Sequence, residues 1–176
     1  MLTGNSFLAD KVALRLSMIP VKKNLNVLDA FAGKGSIWKN VQKKYCGKIN
    51  ITKIDKYQKD DGFMLLGDNR KYLSSLPLEL YDVIDLDSYG TPYDQLKIIF
   101  ERNYKGIVFL TFISIVVLNY QFLIDMGITK KMINKCPTIF CKNKLETIAH
   151  WLSMKGVKSI QVRQKNKKVY IGFTIP

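Results

Sequence analysis

The chain has 176 residues, 47% of them hydrophobic, and a formal net charge of +14 from 28 basic and 14 acidic side chains. That length and apolar share suffice for one folded domain with its own core and exclude a disordered chain as the default. The charge surplus favours polyanionic partners, nucleic acid first, through an attraction that weakens with salt.

Phe7 to Met18 sets apolar residues at Leu8, Val12, Leu14, Leu16 and Met18, with Asp10, Lys11 and Arg15 between them. This spacing predicts a short helix beside the first strand, with Ser6 as its cap and Pro20 as its stop. Asn26 to Phe31 reads as a buried first strand. The chain then bends through Gly33-Lys34-Gly35 and enters a helical pattern from Ser36 to about Tyr45, with Ile37, Trp38 and Val41 inward and Lys39, Lys43 and Lys44 outward. Ile49 to Asp55 alternates as a second strand, and Phe63 to Leu66 is the third. Gly67-Asp68-Asn69 leads into a short helix through Leu76, and Tyr81 to Leu86 is the fourth strand. Pro92 suits the first turn of a helix over Tyr93 to Asn103.

Gly106 to Ile124 is apolar but interrupted by Thr111, Ser114, Asn119, Tyr120 and Gln121. It reads as a strand, Ile107 to Phe112, running into a helix over Ile113 to Met126, and not as a membrane span. Lys142 to Met154 predicts a last helix. Val157 to Val162 and Val169 to Thr174 predict two strands around Lys165-Asn166-Lys167-Lys168. The alternation gives an α/β fold with a seven-stranded, mostly parallel sheet, helices on both faces and a C-terminal antiparallel hairpin, in one domain over residues 1–176. Cys46, Cys136 and Cys141 form no paired spacing, and with His150 they match no usual metal pattern. Reduced thiols in the cytoplasm, and no metal, are expected.

The chemistry concentrates at the end of the first strand, where Val27-Leu28-Asp29 precedes Gly33-Lys34-Gly35 and a helix start. Glycines let backbone amides approach a ligand, and open α/β sheets bind ligands at this strand end. A dinucleotide turn requires a third glycine three places after the second, and Trp38 stands there. A phosphate loop requires Ser or Thr after Gly-Lys, and Gly35 stands there. What remains, Asp29-x-Phe31-x-Gly33-x-Gly35, resembles the first motif of Rossmann-like S-adenosylmethionine-dependent methyltransferases. The resemblance implies S-adenosylmethionine as cofactor, cradled by Asp29, Phe31, Ala32, Gly33 and Gly35. It also implies Asp55 on the cofactor ribose, and Asp68 with Asn69 near the adenine. Read from the residues alone, Asp55 can also be a solvated strand end, and Asp68 can also be a helix cap.

The second motif is Asp85-Leu86-Asp87-Ser88-Tyr89-Gly90-Thr91-Pro92. It resembles the Asp-x-Asp-Pro-aromatic-Gly-Ser/Thr-Pro turn of the tRNA (guanine-N2) dimethyltransferase family, with Ser88 in place of proline. The resemblance covers roughly residues 24 to 113 and does not include that family's C-terminal tRNA-binding domain. It implies methylation of an exocyclic amine on a nucleic-acid base, with tRNA guanine N2 first and a DNA amine second. Asp87 and the Ser88 carbonyl would accept the amine's hydrogens, Tyr89 would stack on the base, and Asp85 would be structural or a neighbour of the cofactor. A methyltransferase-fold subunit that binds nucleic acid without turnover is the alternative. Lys34, Lys142, Lys144, Arg163, Lys165, Lys167 and Lys168 are the candidate phosphate contacts. A partner subunit that supplies substrate recognition is a further expectation.

Overall fold

Asn24–Asp29 forms strand β1, whose buried positions lie on both faces. Such two-sided burial marks an interior strand of a sheet covered above and below. A computed structural model describes residues 7–57, 62–113, 120–125, 127–136, 144–166 and 168–176. Beside β1 run β2 (Lys48–Asp55) and β4 (Val83–Leu86), both parallel to it. The sheet has seven strands in the order β3-β2-β1-β4-β5-β7-β6, where β3 is Leu65–Leu66, β5 Gly106–Ile113, β6 Lys158–Lys165 and β7 Lys168–Ile175. The last two strands form an antiparallel hairpin, and β7 runs antiparallel to β5.

Helices lie on both faces. On one, α1 (Leu8–Met18) and α2 (Ser36–Gln42) enclose a core of Val12, Leu14, Leu25, Val27, Trp38 and Phe109. On the other are α3 (Asn69–Ser75), α4 (Tyr93–Glu101), α5 (Tyr120–Asp125), α6 (Lys130–Lys135) and α7 (Lys144–Met154). Their core centres on Leu28, Ile84, Leu86, Tyr93, Phe122 and Trp151. Trp151 meets the Tyr93, Phe100 and Phe122 rings edge-on. Among the described residues no helix is long and apolar enough to cross a membrane.

Several boundaries differ from the expectation. The third strand shrinks to two residues because only Leu65 and Leu66 pair with β2, leaving Phe63 exposed. β4 starts at Val83, since a 3-10 turn over Leu78–Leu80 precedes it. β5 continues to Ile113, where a helix is expected, because β7 pairs with it all the way to Lys168. The α6 turn is unforeseen; Thr129 caps it by accepting a hydrogen bond from the Met132 N–H. The expected Ser6 cap lies outside the described residues, and Phe7 takes the position before α1 with φ 69°. The largest surprise is α1 itself: Lys11 and Arg15, expected between the apolar positions, are buried, Arg15 to 1% exposure.

Candidate active site at the carboxyl edge of the sheet

β1 delivers the chain to a tight turn. Gly33 and Gly35 adopt φ 54° and 66°, a region that glycine enters without strain. The Gly35 N–H closes the turn on the Ala32 carbonyl at 2.8 Å. A side chain built at Gly33 would meet nothing nearer than the Phe31 carbonyl at 4.0 Å, so the space above the turn is open. Asp55, at the end of β2, accepts from the Gly33 N–H at 2.8 Å and from the Tyr57 N–H at 3.2 Å. The acid of the second strand and the glycine turn are therefore one unit. Asn69 ties the same region to α4: its amide donates to the Ala30 carbonyl and accepts from Gln95. Asp68 caps α3 through the Arg70 N–H and pairs with the Arg70 guanidinium, which holds its carboxyl down to about 2.

The neighbouring corner is built on β4. Asp29 and Asp85 are register partners on adjacent strands, so the chain leaves both strands side by side, about 4.8 Å apart. Asp85 is fully buried and accepts two 2.7 Å hydrogen bonds from the Arg15 guanidinium and a third from the Trp38 indole. Two residues on, and on the same face of the strand, Asp87 accepts from the Lys11 ammonium at 2.7 and 2.6 Å. Lys11 and Arg15 are one helical turn apart, so their spacing matches that of the two acids. The result is a two-rung ladder between α1 and β4. Aromatic faces complete it, with Arg15 5.1 Å from the Phe109 ring and Lys11 5.5 Å from the Tyr170 ring.

The cluster holds three carboxyls and two cations. Burial, reinforced by Asp85 and Asp87, pushes the Asp29 carboxyl well above the ordinary carboxylate range. A proton retained there brings the cluster to neutrality. Burial also opposes ionisation of Asp87, but Lys11 and then Arg15 outweigh it and hold that carboxyl below the usual range. Burial likewise opposes the charge on Arg15 and is outweighed by Asp85. Burial, followed by Asp87, pushes the Tyr170 phenol up to about 12.

Ser88 follows Asp87, nearly buried, with its hydroxyl 3.0 Å from the Thr111 carbonyl and 3.2 Å from that of Gly90. This pins the turn to β5 where the sequence lacks a proline ring to stiffen it. Tyr89, next in line, is 75% exposed.

Asp29, Gly33, Gly35, Asp55, Asn69, Asp87, Ser88 and Tyr89 thus gather at the carboxyl ends of β1, β2 and β4 and the turns that follow. Asp85 does not open onto that edge; it serves Arg15 and Trp38. Of the basic residues, Lys34 is exposed in the glycine turn. Arg163, Lys165 and Lys168 lie toward the turn of the β6–β7 hairpin, and Ile113 pairs with Lys168. That pairing puts the hairpin tip at the carboxyl end of β5, the same edge as the glycine and acid corners. Lys144 opens α7, with its side chain outside the described residues, as are Lys142 and Lys167. Lys11, Arg15 and Trp38 are the members that sequence reasoning missed. The legible signal was two cations at helical spacing opposite an Asp-x-Asp at strand spacing.

The sheet order and closing antiparallel strand define the fold of S-adenosylmethionine-dependent methyltransferases. Solved structures similar to the chain include a SAM-dependent methyltransferase from Archaeoglobus fulgidus, at TM-score 0.55 and 13% identity over 94% of this chain and 93% of that one. A ribosomal protein L11 methylase from Lactobacillus delbrueckii subsp. bulgaricus matches at TM-score 0.58 and 14% identity, over 98% and 80%. A precorrin-6y C5,15-methyltransferase from Geobacter metallireducens matches at 0.53 and 14%, over 98% and 89%. No family model matches the sequence, and no curated protein is similar to it.

Proposed function

We propose that the protein is an S-adenosylmethionine-dependent methyltransferase acting on an exocyclic amine of a nucleic-acid base, with tRNA guanine N2 as the first substrate and a DNA amine as the second. The observation that carries this reading is the adjacency of an open glycine turn and an Asp-Ser-Tyr turn on neighbouring parallel strands, with basic residues in the glycine turn and at the hairpin end of the same edge. The glycine turn fits the cofactor: both glycines have positive φ, and the space over Gly33 is open. Phe31, Ala32, Gly33 and Gly35 would hold it, with Asp55 toward the ribose and Asp68 and Asn69 toward the base. When bound, the cofactor supplies an electrophilic methyl group.

The chain's own residues prepare the nucleophile. An exocyclic amine is a poor one, because its lone pair is delocalised into the ring. Asp87 and the Ser88 carbonyl accept hydrogen bonds from its two N–H groups and draw it toward tetrahedral geometry, which frees the lone pair. Tyr89, being exposed, offers a face on which an unstacked base can lie. The hairpin cations and Lys34 follow phosphates on either side.

Incubation with methyl-labelled cofactor and either bulk tRNA or duplex DNA tests the reading, followed by nucleoside analysis of the product. Label is expected in one pool. Asp87→Asn is expected to lower transfer by roughly 100-fold or more while S-adenosylhomocysteine binding persists. Cofactor binding without transfer to either pool overturns the proposal. One observation favours a second reading, a nucleic-acid-binding subunit without turnover: both Asp87 oxygens already accept from Lys11. That reading predicts salt-sensitive nucleic-acid binding and no labelled product.

A further inference from the structure

The same contact, taken with its surroundings, says more about the active corner. We propose that Lys11 is a positioning residue of the methyl-transfer site: from the N-terminal helix it fixes the charge and the aim of Asp87, and it stays paired while Asp87 accepts a hydrogen of the target amine. The inference rests on the functional reading above and deepens it.

The geometry leaves room for both partners. A carboxylate has about four lone-pair directions on two oxygens. Lys11 takes one on each, at 2.7 and 2.6 Å, the Thr111 hydroxyl also lies close enough to favour the ionised form, and at least one direction remains. The Asp87 side chain keeps 14% exposure, whereas Asp85, on the neighbouring rung, keeps 1%. The rung nearer the strand end is therefore open enough to meet a substrate, and the deeper one is sealed.

The contrast between Asp87 and Asp29 shows what Lys11 contributes. Both are buried in one cluster, and each has two other carboxyls beside it. Among the described residues Asp29 accepts a single backbone N–H, at 3.3 Å, and it is driven toward its neutral form. Asp87 holds an ammonium on both oxygens and is driven the other way. The ionised form is the stronger acceptor for an amine's hydrogens, since a protonated carboxyl spends one oxygen as a donor. Stability alone does not call for this arrangement, because well-packed apolar residues in place of a buried ion pair are often as stable or more so. The Arg15–Asp85 rung already ties α1 to β4. Among the described residues, the titratable and charged groups around Asp87 are Lys11 and Arg15 on α1, Asp29 on β1, Asp85 on β4 and the Tyr170 phenol on β7, with the Thr111 hydroxyl on β5 beside them. Lys11 is the one that hydrogen-bonds both oxygens.

The test is a pair of pH titrations on Lys11→Met and Lys11→Arg. Lys11→Gln, which keeps a donor without the charge, replaces the first if it does not fold. Carbon-13 NMR of labelled aspartate carboxyls, with Asp87 assigned through Asp87→Asn, reads the carboxyl without requiring turnover. Asp87 is expected to titrate below the ordinary aspartate range in the wild type. Its midpoint should rise by about one pH unit or more in Lys11→Met, a tenfold change in proton affinity. Lys11→Arg should restore it. On whichever nucleic acid accepts label, the acid limb of kcat/KM should move up with the midpoint while S-adenosylhomocysteine affinity stays unchanged. An Asp87 midpoint that stays put in Lys11→Met overturns the inference, as does a midpoint that moves without the acid limb. A wild type that transfers no methyl group overturns the functional reading, and this one with it. A wild type that transfers normally beside a Lys11→Met variant with the same pH profile overturns this inference alone.

Discussion

Replacing Arg15 with methionine puts the buried ladder to a quantitative test. The guanidinium is 1% exposed and supplies two of the three hydrogen bonds to Asp85, whose carboxylate is equally enclosed. In Arg15→Met the Asp85 carboxyl is left buried without its cation, which costs about 3–5 kcal/mol. Unfolding free energy should fall by about that amount at neutral pH. Urea titration reads this directly, with the buried Trp38 and Trp151 as fluorescent reporters. The slope m should be unchanged, so the midpoint alone moves. Arg15→Met/Asp85→Leu should recover most of the loss, since both charges are then gone. A loss below about 1 kcal/mol at neutral pH would refute the reasoning, because a buried carboxylate would then be tolerating the absence of its cation.

Three further outcomes are expected. Gly35→Val forces a β-branched residue to a φ of 66°; it should destabilise the protein by about 1–3 kcal/mol and abolish S-adenosylhomocysteine binding in calorimetry. Asp68→Ala removes the α3 cap, a loss of about 1 kcal/mol at neutral pH. Because the folded carboxyl is held down to about 2, its contribution is present above the unfolded value of about 4 and is lost as pH falls from there toward 2. Thermal melts of the two proteins should therefore converge on acidification. Removing Arg163 or Lys165 should weaken nucleic-acid binding across sequences and flatten its dependence on log salt by about one unit for each phosphate left without its cation, as filter-binding assays across salt concentrations would show.

Much of the sheet was legible because its interior strands are short apolar runs bounded by turns, as in Val27-Leu28-Asp29 and Val83 to Leu86. The glycine turn was legible because positive φ demands glycine, and both glycines are found there. The limits of β5 were not, because Ile113 belongs to the strand only through a pairing with Lys168, far along the chain. The polar residues of β6, including Gln161, Arg163 and Gln164, obscured its length; they are admissible because it is an edge strand paired on one side. In the site, the positions of Asp29, Asp55 and Asp87 followed from strand ends. Their partners did not, since Arg15 and Asp85 are 70 residues apart and Lys11 and Asp87 are 76 apart. An amphipathic pattern assigns cations to solvent by default, and only tertiary context reverses it.

The ladder also orders the making of the molecule. α1 precedes every strand of the sheet in the chain, yet the surface it rests on is completed late: Asp85 and Asp87 come first, then Phe109, then Tyr170. Gly172 comes last, where any side chain would collide with Met18 and Phe109. A helix of 11 residues does not persist alone in water. Its two inward cations sit between the β4 carboxylates and the rings of Phe109 and Tyr170, a seat that is whole only once the C-terminal hairpin has closed on β5. A helix made before the sheet it covers is therefore the last to dock. Refolding should be governed by that long-range closure, and a nascent chain stalled before Lys168 would carry its N-terminal helix undocked.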